Sequence, residues 1–86
     1  MKLTEQQSLA ITSMAETSER QLAHFFKDPR YGQWTAKFEI LWSEERQAAF
    51  DRLKLNLAPL SDEESGAVWI EVKRQFEGIR EQLQKN

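Results

Sequence analysis

Apolar side chains recur at steps of three and four residues along three stretches of this chain. The last stretch shows the pattern most clearly, because its apolar residues alternate by three and four: Trp69, Val72, Phe76, Ile79 and Leu83. Such spacing places side chains on one face of an α-helix, as in the seam of a coiled coil. The first stretch has the same rhythm: Ile11, Ala15, Ser18, Leu22, Phe25 and Phe26. Each stretch therefore predicts an amphipathic helix.

The middle stretch has a similar stripe that is interrupted once. At 100° per residue, its apolar residues from Tyr31 to Leu53 fall within a sector of about 120°. The full set is Tyr31, Trp34, Phe38, Leu41, Trp42, Ala49, Leu53 and Leu57. Glu45 lies inside the sector. It is a buried acid with a raised pKa, or the partner of an arginine, or a residue at the point where the stripe reaches solvent.

Capping residues and prolines mark the ends of these helices. Thr4 with Gln7 and Ser61 with Glu64 have the spacing of capping boxes, which begin helices. The pair Asp28-Pro29 separates the first two helices, and Pro59 ends the second. We predict helices over about residues 5–27, 33–57 and 62–84. Gly66 and Gly78 weaken the third, and Gly78 is a position where a neighbour can approach closely.

Three helices of this length with short connections predict a single all-α domain spanning residues 1–86. An antiparallel three-helix bundle is the expected architecture. The alternative is a long hairpin of helices 2 and 3 that dimerises, with helix 1 packed across it. Both arrangements bury the same apolar stripes.

Charge and composition narrow the functional classes. The formal net charge is −2 and no half of the chain is strongly basic, so nucleic acid binding has no obvious electrostatic source. There is no cysteine, which removes disulfides, thiolate catalysis and cysteine-based zinc sites. The apolar runs are far shorter than a membrane span. We expect a cytoplasmic protein without membrane contact.

Candidate catalytic chemistry is sparse. His24 is the sole histidine, and it falls on the polar side of the first helix without convergent partners. No phosphate-binding glycine loop, calcium loop or zinc-protease motif occurs. We therefore expect no catalytic, cofactor-binding or metal-binding residues, and no enzymatic activity.

Apolar residues that are out of phase with the stripes are the candidate interface. They lie about 100–200° away from the stripes of the second and third helices: Ile40, Phe50, Leu55 and Ile70. Leu9 is displaced in the same way on the first helix. Several exposed apolar side chains on a small protein form a contact surface for a protein partner or for a second copy.

Two charged clusters give further candidates. The acidic residues of the third helix suit a basic partner surface: Asp62, Glu63, Glu64 and Glu71. Three basic residues surround the first turn, close to Tyr31 and Trp34: Lys27, Arg30 and Lys37. Aromatic and basic residues together can bind nucleic acid, although these two aromatic residues are in phase with the core stripe.

Residues 34–83 carry a further pattern. Trp34 opens a helix, Leu41 and Leu53 follow along it, a charged "SDEE" turn comes next, and "FEGIREQL" with Gly78 ends in a leucine-bearing helix. This segment resembles the small helical proteins that tailed bacteriophages encode among their structural and accessory genes. The resemblance implies a virion-associated or host-interacting protein without enzymatic activity, located in the host cytoplasm or the virion.

The sequence thus favours a non-enzymatic protein–protein interaction module, either an adaptor or a homo-oligomer. One alternative is a small inhibitor whose acidic residues cover the functional surface of a host protein. A second alternative is a helical protein that binds nucleic acid through its basic cluster.

Overall fold

The structure is a computed structural model that describes residues 2–27 and 34–85. It contains three α-helices, α1 (Glu5–Phe26), α2 (Ala36–Asn56) and α3 (Asp62–Gln84). No strand occurs among the described residues. Each helix packs against both of the others in a body of 41 × 18 × 16 Å. The predicted all-α three-helix bundle is confirmed.

Capping boxes begin α1 and α3, as predicted. The Gln7 amide donates to the Thr4 hydroxyl at 3.1 Å, and the Thr4 amide donates to the Gln7 side chain at 2.9 Å. Ser61 and Glu64 exchange the same two bonds, both at 3.1 Å. These bonds satisfy amides that have no partner within their own helix.

The second helix begins later than predicted. Thr35 is extended, with φ −99° and ψ 170°, and its hydroxyl accepts a hydrogen bond from the Phe38 amide at 3.1 Å. This cap places the first helical residue at Ala36, whereas the stripe predicted a start near residue 33. Trp34 consequently lies ahead of α2 and does not open it. The predicted turn at Asp28-Pro29, together with residues 30–33, lies outside the described residues.

Contacts along the helices define their directions. Gln7 donates to Glu64 at 3.2 Å, so the N-terminal turns of α1 and α3 lie side by side. The rings of Phe26 and Phe38 are 4.9 Å apart, which joins the end of α1 to the beginning of α2. Therefore α1 is antiparallel to α2 and parallel to α3. It lies along the other two helices, not across them as in the hairpin alternative.

The core is formed by the predicted stripes. Side chains from all three helices are buried in one cluster: Ile11, Ala15, Leu22, Phe38, Trp42, Ala49, Leu53, Val68, Val72, Phe76, Ile79 and Leu83. Among the described residues of the stripes, Phe25 differs from this pattern, because it is 47% exposed. Adjacent residues on a helix point about 100° apart, so only one of the Phe25-Phe26 pair can face Phe38.

A polar contact joins α1 and α2 at the edge of this core. The fully buried Ser18 donates its hydroxyl proton to Glu45 Oε2 at 2.8 Å. Arg52 Nη2 donates to the same oxygen at 3.0 Å. Of the three interpretations of Glu45, the structure shows the arginine partner, with a serine in addition. Glu45 therefore interrupts the apolar stripe in order to bind across the α1–α2 contact.

We expect Ser18→Ala to lower the free energy of unfolding by about 1–3 kcal/mol, because a half-buried carboxylate loses a hydrogen-bond donor. Urea denaturation measures the change. Ser13→Ala is the matched control, since Ser13 is exposed on the same helix. In a Glu45→Ala background the Ser18→Ala effect should shrink. Equal effects of Ser18→Ala and Ser13→Ala would contradict the assignment.

The helical glycines of α3 are not required by packing within the described chain. A Cβ built on Gly66 or on Gly78 meets no atom within 4 Å, and neither glycine has a positive φ. The close approach expected at Gly78 is therefore absent from the described fold. Glycine has more backbone freedom in the unfolded state than alanine. Each of these two residues therefore loses more conformational entropy on folding than an alanine would.

Gly66→Ala and Gly78→Ala should each raise the free energy of unfolding by about 0.5–1 kcal/mol through helix propensity. Their effects should add in the double variant, because the two sites are about 18 Å apart along the helix. Chemical denaturation of the four proteins tests this. Destabilisation by either alanine would show that a Cβ is not tolerated at that position.

Candidate functional site

Arginine and tryptophan side chains alternate along the contact between α2 and α3. We call this set the Arg–Trp ladder: Trp34, Arg80, Trp42, Arg46 and Trp69. The guanidinium carbon of Arg80 lies 4.1 Å from the ring centroid of Trp42 and 5.2 Å from that of Trp34. The guanidinium carbon of Arg46 lies 4.8 Å from the centroid of Trp42 and 5.3 Å from that of Trp69. Cations at these distances interact with the negative face of an indole.

The ladder is anchored at Trp42. This side chain is 2% exposed, and its indole nitrogen donates to the Phe76 carbonyl at 3.0 Å. Arg80 is held further by an ion pair with Glu39 at 2.8 Å. Trp34 donates its indole proton to the same carboxylate group at 2.7 Å. This end of the ladder thus consists of two indoles and one guanidinium that pairs with two carboxylates, Glu39 and, at 3.6 Å from its Nε, Glu77.

The other end of the ladder lacks a carboxylate. Among residues 2–27 and 34–85, Arg46 forms no ion pair or hydrogen bond, and its Nε is buried without an acceptor. Phe50 packs on Trp69 with ring centroids 4.7 Å apart. Lys73 lies 5.4 Å from the Trp69 ring and Lys54 lies 4.6 Å from the Phe50 ring. We call these residues, with Arg46, the basic–aromatic cluster.

This cluster was not predicted from the sequence, although the sequence contains a signal for it. Five aromatic residues in the sequence are followed four positions later by a cation, and three of these pairs lie at this end of the ladder: Trp42 and Arg46, Phe50 and Lys54, Trp69 and Lys73. Residues four apart on a helix lie on the same face and can touch. Trp42 and Trp69 fall in the predicted core stripes and Phe50 among the predicted interface residues, while the three cations enter the sequence-based prediction only through the net charge.

The four predicted interface residues do not form one patch. Ile40 and Leu55 are 57% and 80% exposed on the outward side of α2. Their separation of fifteen residues corresponds to about 22 Å along the helix axis. Ile70 is 65% exposed on α3. Phe50 is half-buried against Trp69 and so belongs to the basic–aromatic cluster.

Ile70 lines a groove between the N-terminal parts of α1 and α3. The groove has a volume of about 620 Å³. Its lining combines apolar and small side chains with charged ones at the rim: Lys2, Leu3, Ser8, Glu63, Gly66, Ala67, Ile70 and Glu71.

The candidate anionic residues divide into two kinds. Asp62 and Glu63 are exposed in the first turn of α3. Glu64 is occupied by the capping box and by Gln7, while Glu71 binds Arg74 and accepts from Gln75 at 3.0 Å. Asp62 and Glu63 are therefore the members with side chains that are available to a partner.

Hydrogen bonding lowers the pKa of two of these carboxyls. The backbone amide and side chain of Ser61, with a smaller contribution from Gln7, hold the pKa of Glu64 below its ordinary value. The Arg74 guanidinium is the main cause of the lowered pKa of Glu71, assisted by Gln75. Both carboxyls are stabilised as anions by groups within the bundle.

The basic candidates lie near the junction of α1 and α2. Lys27 caps the end of α1 and Lys37 lies in the first turn of α2, and both are exposed. Arg30 lies outside the described residues. Trp34 packs against Phe38 at 4.7 Å and Trp42 at 6.1 Å between ring centroids, so its ring contributes to the core. No described aromatic platform accompanies these lysines.

Metal and acid–base chemistry finds little support in the described part of the chain. No three histidine, aspartate or glutamate side chains there converge to hold a metal ion. His24 is exposed and packs edge-on against Phe25 with centroids 6.1 Å apart. None of the helices formed by the described residues combines the length and apolar character needed to cross a membrane.

Comparison with known proteins adds no relative to this picture. No protein-family model, no curated protein and no solved structure matches the chain.

Stability should depend on pH through Glu64. Because its folded-state pKa is lowered, its contribution is fully present above the unfolded-state pKa, near 4.5, and is lost as pH falls through the lower folded-state value. Glu64→Gln keeps an acceptor for the capping box but removes the titration. We expect the stability difference between wild type and Glu64→Gln to be constant above about pH 6 and to shrink below about pH 4.5.

Urea denaturation at a series of pH values measures this difference. Glu63→Gln removes one negative charge from the same exposed turn and corrects for the general effect of that charge. A Glu64→Gln difference that stayed the same from neutral pH to pH 3 would refute the assigned role.

Proposed function

We propose that this protein is a non-enzymatic protein–protein interaction module that binds a helical segment of a partner. Exposure of Ile70 in the α1–α3 groove carries the proposal. The Ile70 side chain is not part of the core of the bundle. It would become buried only through contact with another molecule or with residues outside the described fold. Leu3 and Ala67 supply further apolar lining.

The shape of the groove favours an amphipathic helix as the ligand. It lies between two parallel helices, and Gly66 leaves its wall open because no side chain projects there. A helix that lays its apolar face into such a groove is anchored by a few large side chains. Burial of an isoleucine contributes about 1.5–3 kcal/mol, which corresponds to about ten- to one-hundred-fold in affinity.

Two exposed apolar residues outside the groove could contact a second copy of the chain. Ile40 and Leu55 both lie on the outward side of α2, away from the groove. We regard a second copy of the chain as the alternative ligand of these residues. The resemblance to accessory proteins of tailed bacteriophages accords with an adaptor or a virion-associated protein, and a role of that kind is part of the proposal.

Ile70→Glu should weaken partner binding at least about tenfold, because the substitution places a charge where an apolar contact forms. The wild-type chain, immobilised on beads, is used to capture a partner from a host lysate. The captured protein is then purified, and its affinity for each variant is measured by calorimetry. Leu55→Glu is the matched control, since Leu55 is more exposed and does not line the groove.

Light scattering at several concentrations tests self-association of the same variants. Circular dichroism establishes that each variant keeps its helical content. Loss of partner binding in Ile70→Glu alone supports the groove, whereas loss of self-association in Leu55→Glu supports a second copy on the outward side of α2. Identical behaviour of wild type and Ile70→Glu in both assays would overturn the proposal.

An inhibitor that covers a basic surface is the second candidate function. Asp62 and Glu63 are exposed at the N-terminus of α3, and Glu63 also lines the groove. A partner with cations around an apolar anchor would satisfy both features. Its affinity would fall steeply with salt, whereas purely apolar docking would change little.

Nucleic acid binding has less support. Its candidates Lys27 and Lys37 lack a described aromatic platform, and the net charge is negative. A gel shift with strong salt dependence would favour it over the protein-binding proposal.

A further inference from the structure

The two arginines of the Arg–Trp ladder have the same stacking but different polar partners. Each guanidinium lies over the Trp42 ring and over one further indole. Arg80 binds the carboxylate of Glu39 at 2.8 Å. The Nε of each arginine is buried without a hydrogen bond, but Arg46, unlike Arg80, has no carboxylate partner among the described residues. The Arg80 end therefore shows what the Arg46 end would look like if a carboxylate were added.

A stacked guanidinium is well prepared to bind an anion. Contact of its plane with aromatic rings restricts its orientation, so less side-chain freedom is lost when its N–H groups bind. Its fork of donors matches the two oxygens of a carboxylate. Arg46 is half-buried, so an anion bound there would be partly shielded from water and from salt.

Neighbouring charges make this location favourable to anions. Lys73 lies on the Trp69 ring, which adjoins Arg46. Lys54 lies on the Phe50 ring, which packs against Trp69. Asp51 is the carboxylate bound within this group, at 3.7 Å from Lys54. The cluster thus has three cations and one paired carboxylate, whereas the chain as a whole is acidic. An acidic ligand would be drawn to this face of the protein and not to α3's first turn.

We propose that the basic–aromatic cluster is a second binding site, in which Arg46 receives a carboxylate from an acidic segment of the partner protein. The proposal builds on the function proposed above, because it assigns an acidic segment to the same protein partner. Three cations are a small footprint for nucleic acid, which requires neutralisation of many phosphates. A single carboxylate with an apolar neighbour fits the cluster, because Trp69 and Phe50 present apolar surface beside Arg46.

Nuclear magnetic resonance with a capped hexaglutamate peptide tests the site directly. The signals to follow are the Arg46 Nε–Hε group and the Trp69 indole N–H of the full chain. Hexaglutamine is the uncharged control, and hexathymidylate tests the phosphate alternative. We expect saturable shifts with hexaglutamate that weaken at high salt, and no shifts with hexaglutamine.

Variants of Arg46 distinguish the contribution of the planar guanidinium geometry to binding from the contribution of its positive charge. Arg46→Met should weaken hexaglutamate binding at least about tenfold, because the charged hydrogen bonds are lost while the packing volume is kept. Arg46→Lys should weaken it by less, because charge remains without the planar fork. Arg20→Met removes one charge from an exposed site on α1 and should leave binding unchanged. Tryptophan fluorescence of each variant establishes that the indoles stay packed.

Three results would overturn the inference: no saturable shift with hexaglutamate, equal binding by Arg46→Met and wild type, or tighter binding of hexathymidylate than of hexaglutamate. The groove proposal fails separately, through wild-type behaviour of Ile70→Glu. Hexaglutamate binding that depends on Arg46 would stand even in that case.

Discussion

The buried indole of Trp42 is the interaction on which the α2–α3 half of the bundle depends. Its indole nitrogen donates a hydrogen bond to the main-chain carbonyl of Phe76, which lies within α3. Its ring lies under both Arg80 and Arg46, and these cation–π contacts offset part of the cost of placing two charged side chains beside the core. A smaller aromatic residue would fill much of the space but would leave the carbonyl and one face of each guanidinium without this contact. Stability and the candidate anion site therefore share one side chain.

Most of the architecture can be predicted from the sequence, because the three- and four-residue spacing of apolar side chains indicates where the helices form. The three apolar stripes and the two capping boxes are local patterns, and the structure contains all of them. The differences occur where local pattern and three-dimensional neighbours disagree. The apolar stripe continues N-terminal to Thr35, but α2 does not. The Thr35 hydroxyl accepts a hydrogen bond from the Phe38 amide, and this cap sets the start of α2. Phe25 follows the stripe, but its neighbour Phe26 takes the position against Phe38, so Phe25 remains partly exposed.

The candidate site was less accessible to sequence reasoning. The displacement of Ile70 by about 120° from Phe76 on the helix made it a candidate for an outward position, and it is 65% exposed. The groove beside it was not predicted, because its other wall comes from α1 and depends on how the helices pack. The basic–aromatic cluster required knowledge that Arg46 and Trp69, which are far apart in the chain, meet across α2 and α3. Spacing within one helix suggests each half, but only packing brings the halves together.

The contact of Ser18 with Glu45 has a consequence for uniqueness of the fold. Apolar stripes with a repeat of three and four residues can be superposed on one another after sliding by a turn, with similar burial in each alignment. A hydrogen bond between two particular side chains does not tolerate such sliding, because a turn moves the hydroxyl about 5.4 Å from its acceptor. One serine and one glutamate thereby select a single alignment of α1 against α2. Without this hydrogen bond, the apolar contact alone would not fix the register of the two helices.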